Sequence, residues 1–135
     1  MEPVPKRPVR VKRRSADQPP AEVRRGWRYH HLGIPTDVAH PGERYLEGLK
    51  IHVRGFETSP YGIEWMRFDP DCDVPALVLT VPHVAFEVSD LDTAIEGEEV
   101  LIPPGSPSKG VRADMIVADG APVELIEFRR ARRSG

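Results

Sequence analysis

The sequence predicts an α+β fold made of two similar units, each with the order strand–helix–strand–strand–strand, and with the helix of the first unit reduced. Two repeated features carry this prediction. A histidine opens an apolar strand at His31 and again at His83, and a glutamate lies inside an apolar strand at Glu64 and again at Glu124. Each glutamate follows its histidine, by 33 residues in the first half and 41 in the second. A repeated order of this kind indicates an internal duplication.

The first unit is predicted to be mostly strand, because short apolar runs with alternating character are separated by turn residues. Predicted strands cover residues 29–35, 49–56 and 61–68, with loops at 37–42 and 69–73 and a turn at 58–60. The segment 43–48 is long enough for a single helical turn only. The helix of this unit is therefore predicted to be reduced.

The second unit contains the clearer helix. Asp90 is a typical N-cap for a helix from residue 91 to about residue 98, because an aspartate side chain accepts hydrogen bonds from the first helical turn. Predicted strands cover residues 82–88, 100–102, 112–117 and 123–128, and the last two flank a turn at 119–120. The segment 103–109, rich in proline, serine and glycine, is predicted to be a loop.

Length and charge indicate one folded domain with basic ends. The 135 residues fit a single domain, and no apolar run approaches the ~20 residues that cross a membrane. Residues 1–26 have a charge balance of +5, residues 129–135 add four arginines, and residues 27–128 carry −11. We predict a disordered basic tail over 1–27, one domain over 28–128 made of units 28–80 and 81–128, and a basic C-terminal tail over 129–135.

Composition also limits the partners and the compartment. Cys72 is the single cysteine, which excludes a disulfide scaffold and a four-cysteine zinc site. No apolar segment follows the basic N-terminus, so a secretory signal is not expected and a cytoplasmic location is predicted. The basic stretch 1–26 contains no aromatic residue on which bases would stack, so nucleic-acid binding is not expected.

Four residues of the repeat are candidate metal ligands. Strand side chains alternate between faces, and a small residue stands two positions after each histidine on the same face, which leaves space there. A glutamate between apolar neighbours is costly to bury unless it is paired or bound to a cation. Imidazole and carboxylate together suit one divalent ion such as Zn, Ni, Co, Mn or Fe(II). The predicted ligands are His31, Glu64, His83 and Glu124.

Other titratable residues have weaker claims. His30 is the alternative to His31, because a one-residue shift of the strand would exchange the two side chains. The repeat favours His31. His40 and His52 have no counterpart in the other unit and are predicted to lie on a loop and on a strand surface. Cys72 is a poor nucleophile by prediction, because the neighbouring aspartates raise the pKa of its thiol.

Three segments resemble the vicinal oxygen chelate superfamily, which includes glyoxalase I, methylmalonyl-CoA epimerase, extradiol dioxygenases and fosfomycin-resistance proteins. These are YHHLGIP (29–35), HVAFEV (83–88) and PVELIEF (122–128), and the resemblance spans about residues 29–128. It implies paired βαβββ modules whose mixed sheet forms a cup around a divalent metal. In such proteins the ligands lie on the first and last strands of each module. By position, the resemblance assigns them to His31, Glu64, His83 and Glu124.

The resemblance implies a divalent-metal-dependent isomerase or lyase of the glyoxalase or epimerase type. Such an enzyme acts on a small oxygen-rich substrate through a chelated enediolate-like intermediate, and a homodimer is expected. Glu64 favours this branch of the family. In extradiol dioxygenases the metal ligands are two histidines and one glutamate, and there is no ligand at the position that Glu64 matches. Two alternatives stay open: a non-catalytic module that sequesters a small molecule, and an Fe(II) extradiol-type dioxygenase.

The carboxylates are the candidate proton carriers. Glu124 and Glu64 are the predicted catalytic bases, because a glutamate near a metal in a partly apolar cup has a tuned pKa. Glu87, on the same strand face as the second histidine, is a weaker candidate. Arg67 and Arg112 are candidate contacts for an anionic substrate, although pairing with acidic residues on the surface is the expected role of each.

Overall fold

The computed structural model describes residues 20–129 apart from residue 24, and its strands form one eight-stranded mixed sheet. The strands are β1 (Arg28–Pro35), β2 (Arg44–Leu46), β3 (Ile51–Arg54), β4 (Ile63–Phe68), β5 (His83–Glu87), β6 (Glu99–Ser108), β7 (Val111–Ala118) and β8 (Ala121–Phe128). The helices of the described part are α1 (Pro20–Val23), α2 (Ala76–Thr80) and α3 (Leu91–Ala94). The sheet curls into a cup with few and short helices, which confirms the predicted α+β class.

The sheet consists of two modules that meet at its centre. Its strand order is β2-β3-β4-β1-β5-β8-β7-β6. The first and last strands of each module pair in parallel, β1 with β4 and β5 with β8, and the two first strands pair antiparallel. The paired-module architecture predicted from the repeat is therefore present. The exact domain bounds, 28–128 with modules 28–80 and 81–128, stay a prediction.

The hydrogen-bonding register repeats from one module to the other. Glu64 lies opposite Gly33 in the first module, and Glu124 lies opposite Ala85 in the second. In both modules the partner of the glutamate is the small residue two positions after the histidine. Because opposite residues on paired strands share a face, this register directs both histidines and both glutamates to one side of the sheet.

The first module contains no helix between its first two strands. The helical turn predicted for residues 43–48 is wrong, since residues 44–46 of that segment form β2 and pair with β3. The alternation of Arg44, Tyr45 and Leu46 suits an edge strand, with Leu46 opposite Ile51. The helix that was predicted to be reduced is therefore missing between β1 and β2, where every residue is described.

Two strands of the first module are shorter than predicted. The segments 49–56 and 61–68 reduce to β3 and β4. Lys50, Gly55 and Gly62 have φ values of 56°, 100° and 70°, in the left-handed region that interrupts extended backbone. Residues with positive φ therefore mark the ends of β3 and the beginning of β4.

The second module differs from prediction at its edge strand. The loop predicted for residues 103–109 is wrong for most of its length, because β6 continues through Ser108. This segment holds Pro103, Pro104 and Pro107, which lack the N–H that a ladder needs. They are tolerated because β6 is an edge strand and because each falls between paired positions, where its register against β7 shifts.

Helix α3 begins at the predicted N-cap but ends before the predicted residue. The Asp90 side chain accepts hydrogen bonds from the backbone N–H groups of Asp92 and Thr93, which confirms the N-cap. The helix ends at Ala94 rather than near residue 98, and Gly97 follows with a φ of 77°. The short helix α2, which follows β4, was not predicted.

The hydrophobic core lies between α3 and the outer face of the second module. Trp27 and Phe86 pack against it from the side. Its buried members are Val88, Leu91, Ala94, Ile116 and Leu125. No helix among the described residues is long and apolar enough to cross a membrane. The predicted tails 1–27 and 129–135 lie mostly outside the described residues, which include the short α1 at 20–23 and Arg129.

Candidate metal centre

The four predicted ligands lie on the four central strands of the sheet. Glu64 is on β4, His31 on β1, His83 on β5 and Glu124 on β8, and these strands are consecutive neighbours. Residues that are far apart in the sequence are therefore side by side at the middle of the cup. The parallel pairing within each module and the antiparallel pairing between modules produce this arrangement.

Three of the four donors converge closely. His31 Nε2 is 3.3 Å from His83 Nε2 and 3.3 Å from Glu124 Oε1. His83 Nε2 is 3.6 Å from the same carboxylate oxygen. One ligand atom from each residue lies within 4.8 Å of the other two. Two imidazole nitrogens and one carboxylate oxygen in such a group are a donor set that suits a divalent ion such as Zn or Fe(II).

A glycine makes room for one of these imidazoles. Gly33 lies directly opposite His83 in the antiparallel pairing of β1 and β5. A Cβ added at Gly33 would lie 2.2 Å from His83 Cε1 and 2.6 Å from its Nε2. The ring of His83 is almost fully buried, and its Nδ1 has no hydrogen-bond partner in the described part of the chain. Packing against the backbone of Gly33 therefore orients this imidazole.

The two glutamates have opposite electrostatic environments. Burial is the largest influence on Glu124 and acts to raise its pKa, but hydrogen bonds to His31 and His83 outweigh it and lower the pKa to about 2. Burial raises the pKa of Glu64; Glu124 adds to the effect, while His31 opposes it. Glu64 Oε1 is 3.8 Å from His31 Nε2, and this residue lies outside the converging group of three. Glu124 is therefore held as a carboxylate, whereas Glu64 retains a proton more readily.

The two neighbouring histidines lie in different surroundings. His31 is buried and lines the cup, whereas the ring of His30 stacks on Phe56 with 4.9 Å between ring centroids and lies 5.7 Å from Phe128. His30 Nδ1 is 2.7 Å from His31 Nδ1. Burial and the nearby His31 lower the pKa of His30, which favours its neutral ring. A proton on His31 Nδ1 that is donated to His30 leaves His31 Nε2 with a lone pair for a metal.

A cavity of about 390 Å³ opens above the convergent donors. The two histidines and the two glutamates of the repeat are among its polar lining residues. The remaining wall is mostly apolar and includes Ile51, Val53, Met66, Phe68, Ile102 and Met115. A concave apolar pocket with a few convergent polar groups is the usual form of a small-molecule site.

The other residues considered as substrate contacts or bases lie outside this cavity. Arg67 donates two hydrogen bonds to Glu43, at 2.9 and 2.8 Å, and Arg112 donates two to Asp92, at 3.3 and 3.2 Å. This is the surface pairing expected for both arginines. Glu87 lies opposite Arg28 at the end of β5 and does not line the cavity.

The remaining candidate residues lie apart from the convergent donors. His52 Nε2 is 3.0 Å from Asp69 Oδ1 on the strand surface, and His40 lies in an exposed loop. The Cys72 thiol donates to the carbonyl of Leu49 at 3.5 Å. Burial raises the pKa of that thiol, and the neighbouring aspartates add to the effect, so its thiolate is disfavoured.

One buried carboxyl group was missed by the sequence interpretation. Asp114 on β7 is 3% exposed and lies opposite Leu125, and neither of its carboxyl oxygens has a hydrogen-bond partner among the described residues. Burial raises its pKa to about 6, and Glu124 adds to this rise. An acidic residue inside the apolar run 113–117 was the available signal, because the same pattern had identified the two glutamates.

Comparison with known proteins supports the fold. No family model and no curated protein matches the chain. A solved structure of a hypothetical protein from Bacillus halodurans C-125 is 14% identical, with a TM-score of 0.59, and the match covers 80% of this chain and 99% of that one. Methylmalonyl-CoA epimerase from Mycobacterium tuberculosis is 18% identical, with a TM-score of 0.51 and coverage of 76% and 88%. With its paired modules and its likeness to this epimerase, the chain has the vicinal oxygen chelate fold.

Proposed function

We propose that the protein is a divalent-metal-dependent isomerase or lyase that moves a proton on a small oxygen-rich substrate. The observation that carries this proposal is the convergence of His31, His83 and Glu124 beside Glu64 at the polar end of an apolar cavity. The fold adds support, because an epimerase shares it. The native metal is left open among Zn, Ni, Co, Mn and Fe(II).

In this proposal His31, His83 and Glu124 hold the metal. Catalytic metal sites typically use three protein ligands, which is the number that this group offers. When bound, the ion supplies positive charge that stabilises an oxyanion as it develops on the substrate. Glu124 is suited to be a ligand, because its two histidine partners lower its pKa and keep it ionised.

Glu64 is the proposed proton carrier. Its carboxyl group lines the cavity beside the donor group, and burial raises its pKa, so it can both take and return a proton nearer to neutral pH. The two glutamates that are equivalent in the repeat thus have different roles. Glu124 binds the ion, and Glu64 moves the proton.

The metal is tested by elemental mass spectrometry of protein purified without an affinity tag. About one ion per chain is expected in the wild type, from a three-ligand site. His83→Ala and Glu124→Ala should lose it, and the surface variant His52→Ala should retain it as the matched control. A wild type that takes up no ion from Zn, Ni, Co, Mn or Fe(II) would contradict the proposal and favour a module that only binds a small molecule.

Proton transfer is tested with p-tolyl hydroxymethyl ketone in D₂O. NMR should detect exchange of the hydrogens next to the carbonyl when the metal-loaded wild type is present. Glu64→Gln should abolish exchange while its metal content stays at the wild-type level, and Glu57→Gln, at an exposed glutamate of the same module, should exchange normally. Wild-type exchange by Glu64→Gln would show that another group carries the proton.

One observation favours a second function. The converging group is two histidines and one glutamate with Glu64 outside it, and this ligand set suits a non-haem Fe(II) dioxygenase. Oxygen uptake by the Fe(II)-loaded protein with catechols, in place of proton exchange with the ketone, would support this alternative. A homodimer, tested by analytical ultracentrifugation, and a cytoplasmic location are also proposed.

A further inference from the structure

We infer that the substrate is a neutral molecule with a largely apolar body, of the class of α-hydroxyketones that carry an alkyl or aryl group. One part of this inference, the pair of substrate oxygens at the polar end of the cavity, rests on the proposed function. The apolar body and the absence of charge follow from the cavity wall alone.

The wall facing away from the donors is apolar across both modules. In the second module, Ile102 lies opposite Met115, and Met115 lies opposite Glu124, so an apolar row leads from the donor group to the edge of the sheet. In the first module, Val53 lies opposite Met66 and continues the same kind of surface. A substrate whose oxygens reach the donors therefore places the rest of its body against hydrocarbon on both sides.

The charges in the cavity disfavour an anion. None of the described residues that line it is a lysine or an arginine, whereas Glu64 and Glu124 are acidic. An anionic group on the part of the substrate that faces the apolar wall, away from the proposed metal, would lose hydration there without gaining a counter-charge, which is costly. Arg67 and Arg112, the arginines considered as anion contacts, bind Glu43 and Asp92 outside the cavity.

The volume limits the size of the substrate. About 390 Å³ is near the lower end of the roughly 300–1,000 Å³ range of ligand pockets. A small aryl or alkyl ketone fits such a volume, whereas most of a phosphorylated coenzyme or a peptide conjugate would lie outside it.

Two ligands with the same oxygen pair and different tails test the inference. Calorimetry compares p-tolyl hydroxymethyl ketone with its p-carboxylate analogue on metal-loaded protein whose metal content is measured in the same sample. The neutral ketone should bind at least about tenfold more tightly, because the carboxylate must be desolvated against an apolar, acidic wall. Equal or tighter binding of the carboxylate, or no binding of either ligand at 10 mM, would overturn the inference.

A charge-inverting variant and a matched control localise the effect. Ile102→Lys places a cation on the cavity wall and should reduce or reverse the preference, whereas Val100→Lys, at an exposed position of the same strand outside the cavity lining, should leave it unchanged. An equal change in the preference for the neutral ketone in both variants would contradict the assignment of Ile102 to the wall that contacts the substrate. Wild-type protein that binds no metal but still prefers the neutral ketone would contradict the proposed function and support this inference, so the two failures are distinguishable.

Discussion

The two modules have closely matching inner faces and different outer faces. On the inner face each module presents a histidine and a glutamate in the same register, with Gly33 opposite Glu64 and Ala85 opposite Glu124. On the outer face of the second module, α3 covers an apolar surface, and Leu91 and Leu125 are fully buried there. Burial of hydrocarbon is the main source of stability at this face.

The outer face of the first module carries paired polar groups where the helix is missing. The ring of Tyr45 stacks on His52 with centroids 4.4 Å apart, and its hydroxyl donates to Asp69. Arg67 forms its two hydrogen bonds with Glu43 on the same side of the sheet. Convergent donors constrain the inner face to particular residues, whereas the outer face needs only to be covered or solvated. Apolar packing and polar pairing both meet that need.

The largest effect is expected from a substitution at Gly33, on the inner face of the first module. In Gly33→Ala the new Cβ meets the buried ring of His83, so we expect metal content to fall at least about tenfold and stability to fall by about 1–3 kcal/mol. Elemental mass spectrometry and urea unfolding measure the two changes. Gly48→Ala, where an added Cβ meets nothing within 4 Å, is the matched control. Full metal content in Gly33→Ala would show that His83 is not a required ligand.

The second prediction removes the apolar cover of the second module. Leu91→Ala should lower the free energy of unfolding by about 3 kcal/mol, because it leaves a cavity beneath α3 that the surrounding strands fill only partly. Urea denaturation followed by circular dichroism measures this loss. Leu79→Ala, at a side chain that is 36% exposed on α2, should cost clearly less. Similar losses for both leucines would contradict the role given to α3.

The third prediction concerns the buried carboxyl group of the second module. The folded-state pKa of Asp114 is raised from 3.8 to about 6, so the folded state binds this proton more tightly than the unfolded state. Stability is then fully present below about pH 4 and declines as the pH rises towards about 6. Asp114→Asn should remove this decline and stabilise the metal-free protein at pH 7 by on the order of 2 kcal/mol.

The measurement for Asp114 is urea unfolding of EDTA-treated protein between pH 4 and pH 7. Asp73→Asn, at an exposed loop position, is the control for a general change in charge. Parallel pH curves for Asp114→Asn and the wild type would indicate that this carboxyl group does not titrate in that range in the folded state.

The smallest expected effect concerns the polar cover of the first module. The hydrogen bonds from Arg67 lower the pKa of Glu43 from 4.5 to about 2. A lowered folded-state pKa stabilises the protein above the unfolded value and is lost as the pH falls from about 4.5 through about 2. Arg67→Ala should therefore lower the urea midpoint slightly at pH 7, less than Leu91→Ala does, and the difference from wild type should shrink in acid.

High salt is expected to reduce the effect of Arg67→Ala as well, because salt screens an ion pair that is partly open to solvent. Arg44→Ala is the matched control, since Arg44 forms a single contact of 3.4 Å with Glu57 at the surface. A loss in Arg67→Ala as large as that in Leu91→Ala would mean that the polar cover stabilises its module as strongly as the helix does.

The parts that could be predicted from the sequence are those with a local pattern. The duplicated histidine and glutamate strands, the cap at Asp90 and the turn at 119–120 all depend on residues close together in the chain. The errors fall where tertiary context prevails over local preference. The prolines of 103–109 are accommodated in an edge strand, and residues 44–46, within the predicted helical turn, pair with β3.

By itself, the sequence determined that two residue types, histidine and glutamate, repeated in order, lie on four strands, with a small residue two positions after each histidine. Only the tertiary structure decided that His31 lines the cup in place of His30, that His83 fills the space left by Gly33, and that Glu64 lies just outside the convergent group. The physical reason is that a strand pattern gives the face of each side chain, whereas distances across the sheet depend on register and curl between segments far apart in the chain.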